Sequence, residues 1–165
     1  MATRISKTLL VASIGLLVLV IVLNNLTDYN ANFRYIQHVL SMDTVFEDSQ
    51  LTWRAVTSSS LQKVAYGVII GIESAIAALC LGGAVRLLKV VNCDGITFNR
   101  AKATATCGLT LAFLFWFVGF MVVAGEWFTM WQSLEWNGQQ PAFRFIGCVG
   151  FVLIYLSLTD GDLPE

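Results

Sequence analysis

The residue best placed to do chemistry is Glu73, the one charged side chain in the otherwise uncharged run Val64–Val85. An acid inside an apolar run of that length marks either a polar packing contact or a site that handles a cation or a proton. No Lys, Arg or His stands at matching depth in another apolar run. Counting inward from the run boundaries, the polar groups nearest to it are Ser13, Thr110 and Tyr155. A hydrogen bond from Glu73 to Thr110 or Tyr155 would lock a helix bundle. The same carboxyl could instead carry a proton, bind a cationic substrate, or meet a basic group on another subunit. His38 is the one histidine. As a haem ligand it would need a second axial group, from Met42 or a partner protein, so it reads first as an interfacial polar residue.

A second polar set, Asp28, Arg34, His38, Asp43, Arg54, Glu126 and Glu135, falls in the connections between apolar runs, where Arg34 or Arg54 could pair with Asp28, Asp43 or Glu126. Trp53, Trp127, Trp131 and Trp136 fall in the same connections. Tryptophan and arginine carry much of the energy of protein interfaces. Arg34, His38, Trp127, Trp131 and Trp136 are therefore the candidate partner-docking residues. The four cysteines, Cys80, Cys93, Cys107 and Cys148, share no CxxC spacing and point to neither a disulfide framework nor a metal site. No Ser-His-Asp or Cys-His order, HExxH, P-loop or dinucleotide fingerprint occurs. The expectation is a protein that is not an enzyme and holds no cofactor or metal.

The elements that must position these residues are membrane spans. Of 165 residues, 56% are hydrophobic and 13% charged, against about 25% charged in ordinary soluble domains, and mean hydropathy is +0.70. A formal net charge of -1 with dispersed basic residues argues against a nucleic-acid partner. Apolar runs at about 8–23, 64–85, 103–124 and 143–158 read as four membrane spans, the second and third covering a bilayer core of about 30 Å in full and the shorter first and fourth most of it. The first follows a short basic start and ends on bulky residues, without the small-residue site a signal peptidase needs, so it reads as a retained span. The fold class is thus all-α, a four-span bundle forming one integral membrane domain.

Four spans put both termini on one side. Arg4, Lys7, Arg86, Lys89, Arg100 and Lys102 crowd that side, whereas Arg34, Arg54, Lys63 and Arg144 are spread over longer connections. The bias places both termini in the cytoplasm. The first and third connections then face the periplasm and form a small ordered cap. In the first, Phe33, Ile36, Val39 and Leu40 have the spacing of a short amphipathic helix, lying on the bilayer surface or packed over the bundle. Ser59 with Gln62 has the form of a capping box opening the second span. In that span Gly67, Gly71, Ala75, Ala78 and Gly82 make a small-residue stripe that invites close helix approach, while Glu73 shares its face with Tyr66, Ile70, Ala77, Cys80 and Ala84.

The segment Asn24-Asn25-Leu26-Thr27-Asp28-Tyr29-Asn30-Ala31-Asn32-Phe33, continuing through Gln37-His38-Val39-Leu40-Ser41-Met42-Asp43-Thr44, resembles a bacterial family of predicted small integral membrane proteins, domain of unknown function 2165. Met130-Trp131-Gln132-Ser133 and Trp136-Asn137-Gly138-Gln139 are similar to the same family. The resemblance covers nearly the whole chain and implies the four-span layout; it brings no activity and no catalytic residue. The expected role is an accessory or assembly subunit of a larger bacterial inner-membrane complex, with the lipid bilayer and other membrane-protein subunits, or further copies of the chain, as partners. The alternatives are a small channel or proton-coupled carrier using Glu73 and, more weakly, a haem- or quinone-associated redox subunit.

Overall fold

A computed structural model describes residues 1–162. Helix α1 spans Ala2–Thr27, α2 Tyr29–Ser41, α3 Ser59–Lys89, α4 Gly95–Ala101 and α5 Ala103–Leu114; α6 spans Gln139–Ser157. From Phe115 to Trp127 the helix begun by α5 continues as a wider π-helix. Ala2–Thr27, Ser59–Lys89, Gly95–Trp127 and Gln139–Ser157 are long and apolar enough to cross a membrane. No strand occurs among the described residues. The protein is an all-α integral membrane protein.

Its core lies where α1, α3, α5 and α6 face one another, around Val11, Val18, Ile76, Leu87, Leu109 and Leu156. The faces turned away carry Leu9, Leu16, Val20, Val68, Val85 and Ile154, all exposed. In a bilayer such residues meet lipid tails, so burial of apolar area contributes little to helix association and close packing must do it. Glycine supplies that packing at two contacts between α3 and α5. A Cβ on Gly83 would stand 2.6 Å from the Ala105 backbone nitrogen, and one on Gly108 2.8 Å from Cys80 Sγ.

These are not the small residues picked out by period. Gly67, Gly71, Ala75, Ala78 and Gly82 are all exposed, and a Cβ on Gly67, Gly71 or Gly82 would meet nothing within 4 Å. The stripe is a free face of α3. The opposite face, with Tyr66, Glu73, Ala77, Cys80 and Ala84, is the buried one. The expected capping box is also absent. Ser58 is the N-cap residue and gives no side-chain hydrogen bond, and Gln62 instead donates to Val56 O at 2.8 Å.

The first and third connections fold together as a cap. The helix read from Phe33, Ile36, Val39 and Leu40 is α2, which follows α1 after the single residue Asp28. It is packed over the bundle along the first half of α3: Tyr29 stacks edge-on to Tyr66 with centroids 4.7 Å apart, and Val56 N donates to Leu40 O at 2.7 Å. Val39, Met42, Phe128 and Met130 form a second, smaller core beneath these loops. Hydrogen bonds tie the connections directly, among them Thr44 Oγ1 to Ser133 Oγ at 2.9 Å and Phe46 N to Gln132 Oε1 at 3.0 Å.

Candidate functional site

Glu73 is 5% exposed and neither expected partner reaches it. Thr110 is exposed on α5. Tyr155 lies at the other end of the bundle, its ring 5.5 Å from Lys7 Nζ. Ser13 is likewise exposed and bonds its own helix at Leu9 O. The partner is Asn25, whose Nδ2 donates to Glu73 Oε2 at 2.7 Å. Asn25 Oδ1 in turn accepts from Asn32 Nδ2 at 2.7 Å, and Tyr66 Oη donates to Asn25 O at 3.4 Å. A directed chain of donors therefore runs from α2 through α1 to α3 and ends on the carboxyl group. Position in the run Val64–Val85 could not show this, because Asn25 falls just beyond the first apolar run.

Glu73 is level with Asn25, near the cap-side end of α1, and lies 14 residues from Ser59 and 16 from Lys89, the two ends of α3.

Glu73 lines a cavity of about 340 Å³ between α1, α2, α3, the π-helix and α6. Tyr66, Trp116, Phe120 and Phe145 present aromatic surface to it, and Asn24, Asn25 and Asn32 amides. Glu73 is its one charged lining residue. Asn24, Asn32 and Pro141 are exposed and mark where it opens. A second cavity of about 340 Å³ adjoins it, lined by Val39, Ala65, Val68, Phe115 and Val123 among others and by no charged residue. Tyr35, Ile36, Ile69 and Phe120 line both. Between them, Tyr35 donates to Met130 Sδ at 2.8 Å; burial pushes its phenol up to about 12, despite an opposing backbone hydrogen bond at Gly138.

Asn25→Leu tests the donor chain. It leaves the buried Glu73 carboxyl without its partner, which costs roughly 1–3 kcal/mol, while the exposed Asn32 amide turns to solvent. A lowered midpoint of thermal unfolding is expected, partly restored by adding Glu73→Leu. A midpoint equal to that of the unaltered protein would refute the coupling.

Of the proposed docking residues, the structure brings His38 and Trp136 together. Arg34 is exposed, with no ion pair among the described residues. His38 stacks on Trp136, centroids 4.4 Å apart, and its Nδ1 meets Asp43 Oδ2 at 2.9 Å. Trp127 and Trp131 are about half exposed. Arg54 pairs with none of the expected acids. Its guanidinium lies 4.5 Å from the Trp127 ring and 5.3 Å from Trp53, donating to Trp127 O at 3.2 Å. Aromatic faces and a carbonyl take the place of a carboxylate.

The strongest polar cluster was missed in the sequence. Arg4 and Lys7, each 1% exposed, were counted with Lys102 as flanking charges. Arg4 donates to Val91 O, Cys93 O and Gly161 O at 3.0, 2.5 and 2.7 Å. Lys7 and Lys102 both donate to Leu158 O, at 2.6 and 2.8 Å, and both pair with Asp160 Oδ2, at 2.6 and 2.5 Å. The cations thus cap the C-terminal ends of α3 and α6, where carbonyls lack helix partners and the dipole is negative. Burial alone would raise the Asp160 carboxyl, but the hydrogen bonds and charges of Lys102 and Lys7 hold it below the ordinary carboxylate range. Nearby, Asp94 caps α4 through Thr97 N at 2.8 Å.

Among the described residues no group of three His, Cys, Asp or Glu is placed to hold a metal ion, and all four cysteines are free. The family model described as predicted small integral membrane protein (DUF2165) matches residues 3–159. No curated protein and no solved structure matches the chain.

Proposed function

This chain belongs to the DUF2165 family of predicted small integral membrane proteins, and we propose that it serves as an accessory or assembly subunit of a larger membrane complex, without catalytic activity of its own. The observation carrying this reading is the free face of α3. Gly67, Gly71 and Gly82 face open space there, on the helix that is otherwise central to the bundle. Exposed small residues at this spacing let a second helix approach closely, which drives association where lipid removes the hydrophobic contribution. Trp53, Trp127, Trp131 and Phe46, exposed on the cap, extend the surface available to a partner beyond the membrane.

We place the complex in the bacterial inner membrane with both termini in the cytoplasm. Arg86, Lys89 and Arg100 support this, being exposed on the terminal side. A carrier using Glu73 gains no support from the packing. Ile76, Cys80, Leu87, Leu109 and Ala112 are fully buried between the Glu73 cavity and the terminal face. Extraction from native membranes in a mild detergent should recover the chain with a fixed molar ratio of one other membrane protein or of further copies. Recovery as single chains of 18.2 kDa would refute the assignment.

A further inference from the structure

The two adjoining cavities beneath the cap differ in chemistry, and the difference specifies a ligand. In the first, the hydrogen bonds from Asn32 to Asn25 and from Asn25 to Glu73 direct donors toward the carboxyl group. Oε2 accepts from Asn25, and among the described residues Oε1 accepts no hydrogen bond from the protein. A donor on an entering molecule would find Oε1 open to it. No Lys, Arg or His lines the cavity, so the chain offers the acid no counter-charge at this site.

Much of the remaining wall is aromatic, with aliphatic residues such as Ile21, Ile36 and Ile69 completing it. Tyr66, Trp116, Phe120 and Phe145 present rings to the same space, and aromatic faces attract ammonium groups as well as apolar bodies. About 340 Å³ is far more than a single ion fills and lies within the range of small organic ligands. The second cavity continues beyond Ile36 and Phe120 with apolar walls.

We propose that this paired cavity binds an amphipathic amine, its ammonium group against Glu73, its body between Tyr66 and Trp116, and any longer alkyl chain in the apolar cleft behind Phe120. The site lies on the face of α3 opposite the free glycine face, so it stands independently of the assembly role.

The probe is 4-phenylbutylamine, with 4-phenylbutan-1-ol as its neutral counterpart, titrated at neutral pH into the full-length protein in lipid nanodiscs. Binding is read from tryptophan fluorescence, with Trp116→Phe identifying the reporter. The amine should give a saturable change that Trp116→Phe removes, and should bind about tenfold or more tightly than the alcohol, the size expected of a hydrogen bond to a charged group. Glu73→Gln should abolish that preference. Equal binding of amine and alcohol by the unaltered protein overturns the proposal, as does an amine preference that survives Glu73→Gln. An absence of saturable change overturns it too. If Glu73→Gln fails to fold, the comparison of amine with alcohol on the unaltered protein decides alone.

Discussion

Asp160→Ala should be among the most destabilising single substitutions in this chain, lowering stability by roughly 3–5 kcal/mol, the usual cost of stripping one partner from a buried ion pair. The effect arises because two ammonium groups share this carboxylate. Lys7 Nζ and Lys102 Nζ lie 2.6 and 2.5 Å from Asp160 Oδ2, and both lysines are buried. Removing the acid leaves like charges facing each other with only Leu158 O in common. Asp160 also organises the backbone around it, since its N–H donates to Asn99 Oδ1 at 3.1 Å and its carbonyl accepts from Asn99 Nδ2 at 2.8 Å. Asp160→Ala with Lys7→Met should recover part of the loss, because one unpaired charge departs with its partner.

The same cluster fixes the sign of the acid response. The folded carboxyl is held below its ordinary range, so its contribution is complete above the unfolded value of about 3.9. It is lost as pH falls from there through the folded value, where the native state must take up the proton. Unfolding midpoints measured downward from pH 6 should drop steeply only below about pH 4, and Asp160→Asn should flatten that limb. An unchanged limb in the variant would show that another group controls acid unfolding.

Gly83→Val should separate α3 from α5, whereas Gly71→Leu should leave the single chain intact. At Gly83 a Cβ would stand 2.6 Å from Ala105 N and 2.7 Å from its Cα. Those are backbone atoms that no rotamer change can move, so the helices must part along a contact that includes Gly108. Overpacking of this kind costs about 1–3 kcal/mol, and the backbone obstruction argues for the upper end. At Gly71 nothing lies within 4 Å. Thermal unfolding of the two variants in one detergent tests the contrast; equal midpoints would contradict the helix register.

That contrast also shows what was legible in the residues. Hydrophobic run length sufficed for the four long helices, and the spacing of Phe33, Ile36 and Leu40 sufficed for α2. The face of α3 that holds Glu73 followed from helical period, but period could not say which face the bundle covers. Gly67, Gly71 and Gly82 repeat as regularly as a packing stripe, yet Gly83 and Gly108 make the close contacts. Pairwise chemistry was least accessible. Asn25 reaches Glu73 across 48 positions and Lys7 reaches Asp160 across 153, and separations of that size are set by how the helices assemble. The basic residues illustrate the ambiguity: Arg100 is an exposed flanking charge, but Arg4, Lys7 and Lys102 are buried caps on helix ends. One residue type at the end of an apolar run serves either role, and only the neighbouring carbonyls distinguish them.

The free face of α3 is the point on which the assembly role turns. The direct measurement is the mass of the particle released from native membranes into nanodiscs, for the unaltered protein and for Gly71→Leu. An assembly of fixed stoichiometry is expected for the first, and a folded single chain of 18.2 kDa for the second. A single chain in both preparations, or an assembly that Gly71→Leu leaves whole, would contradict the account.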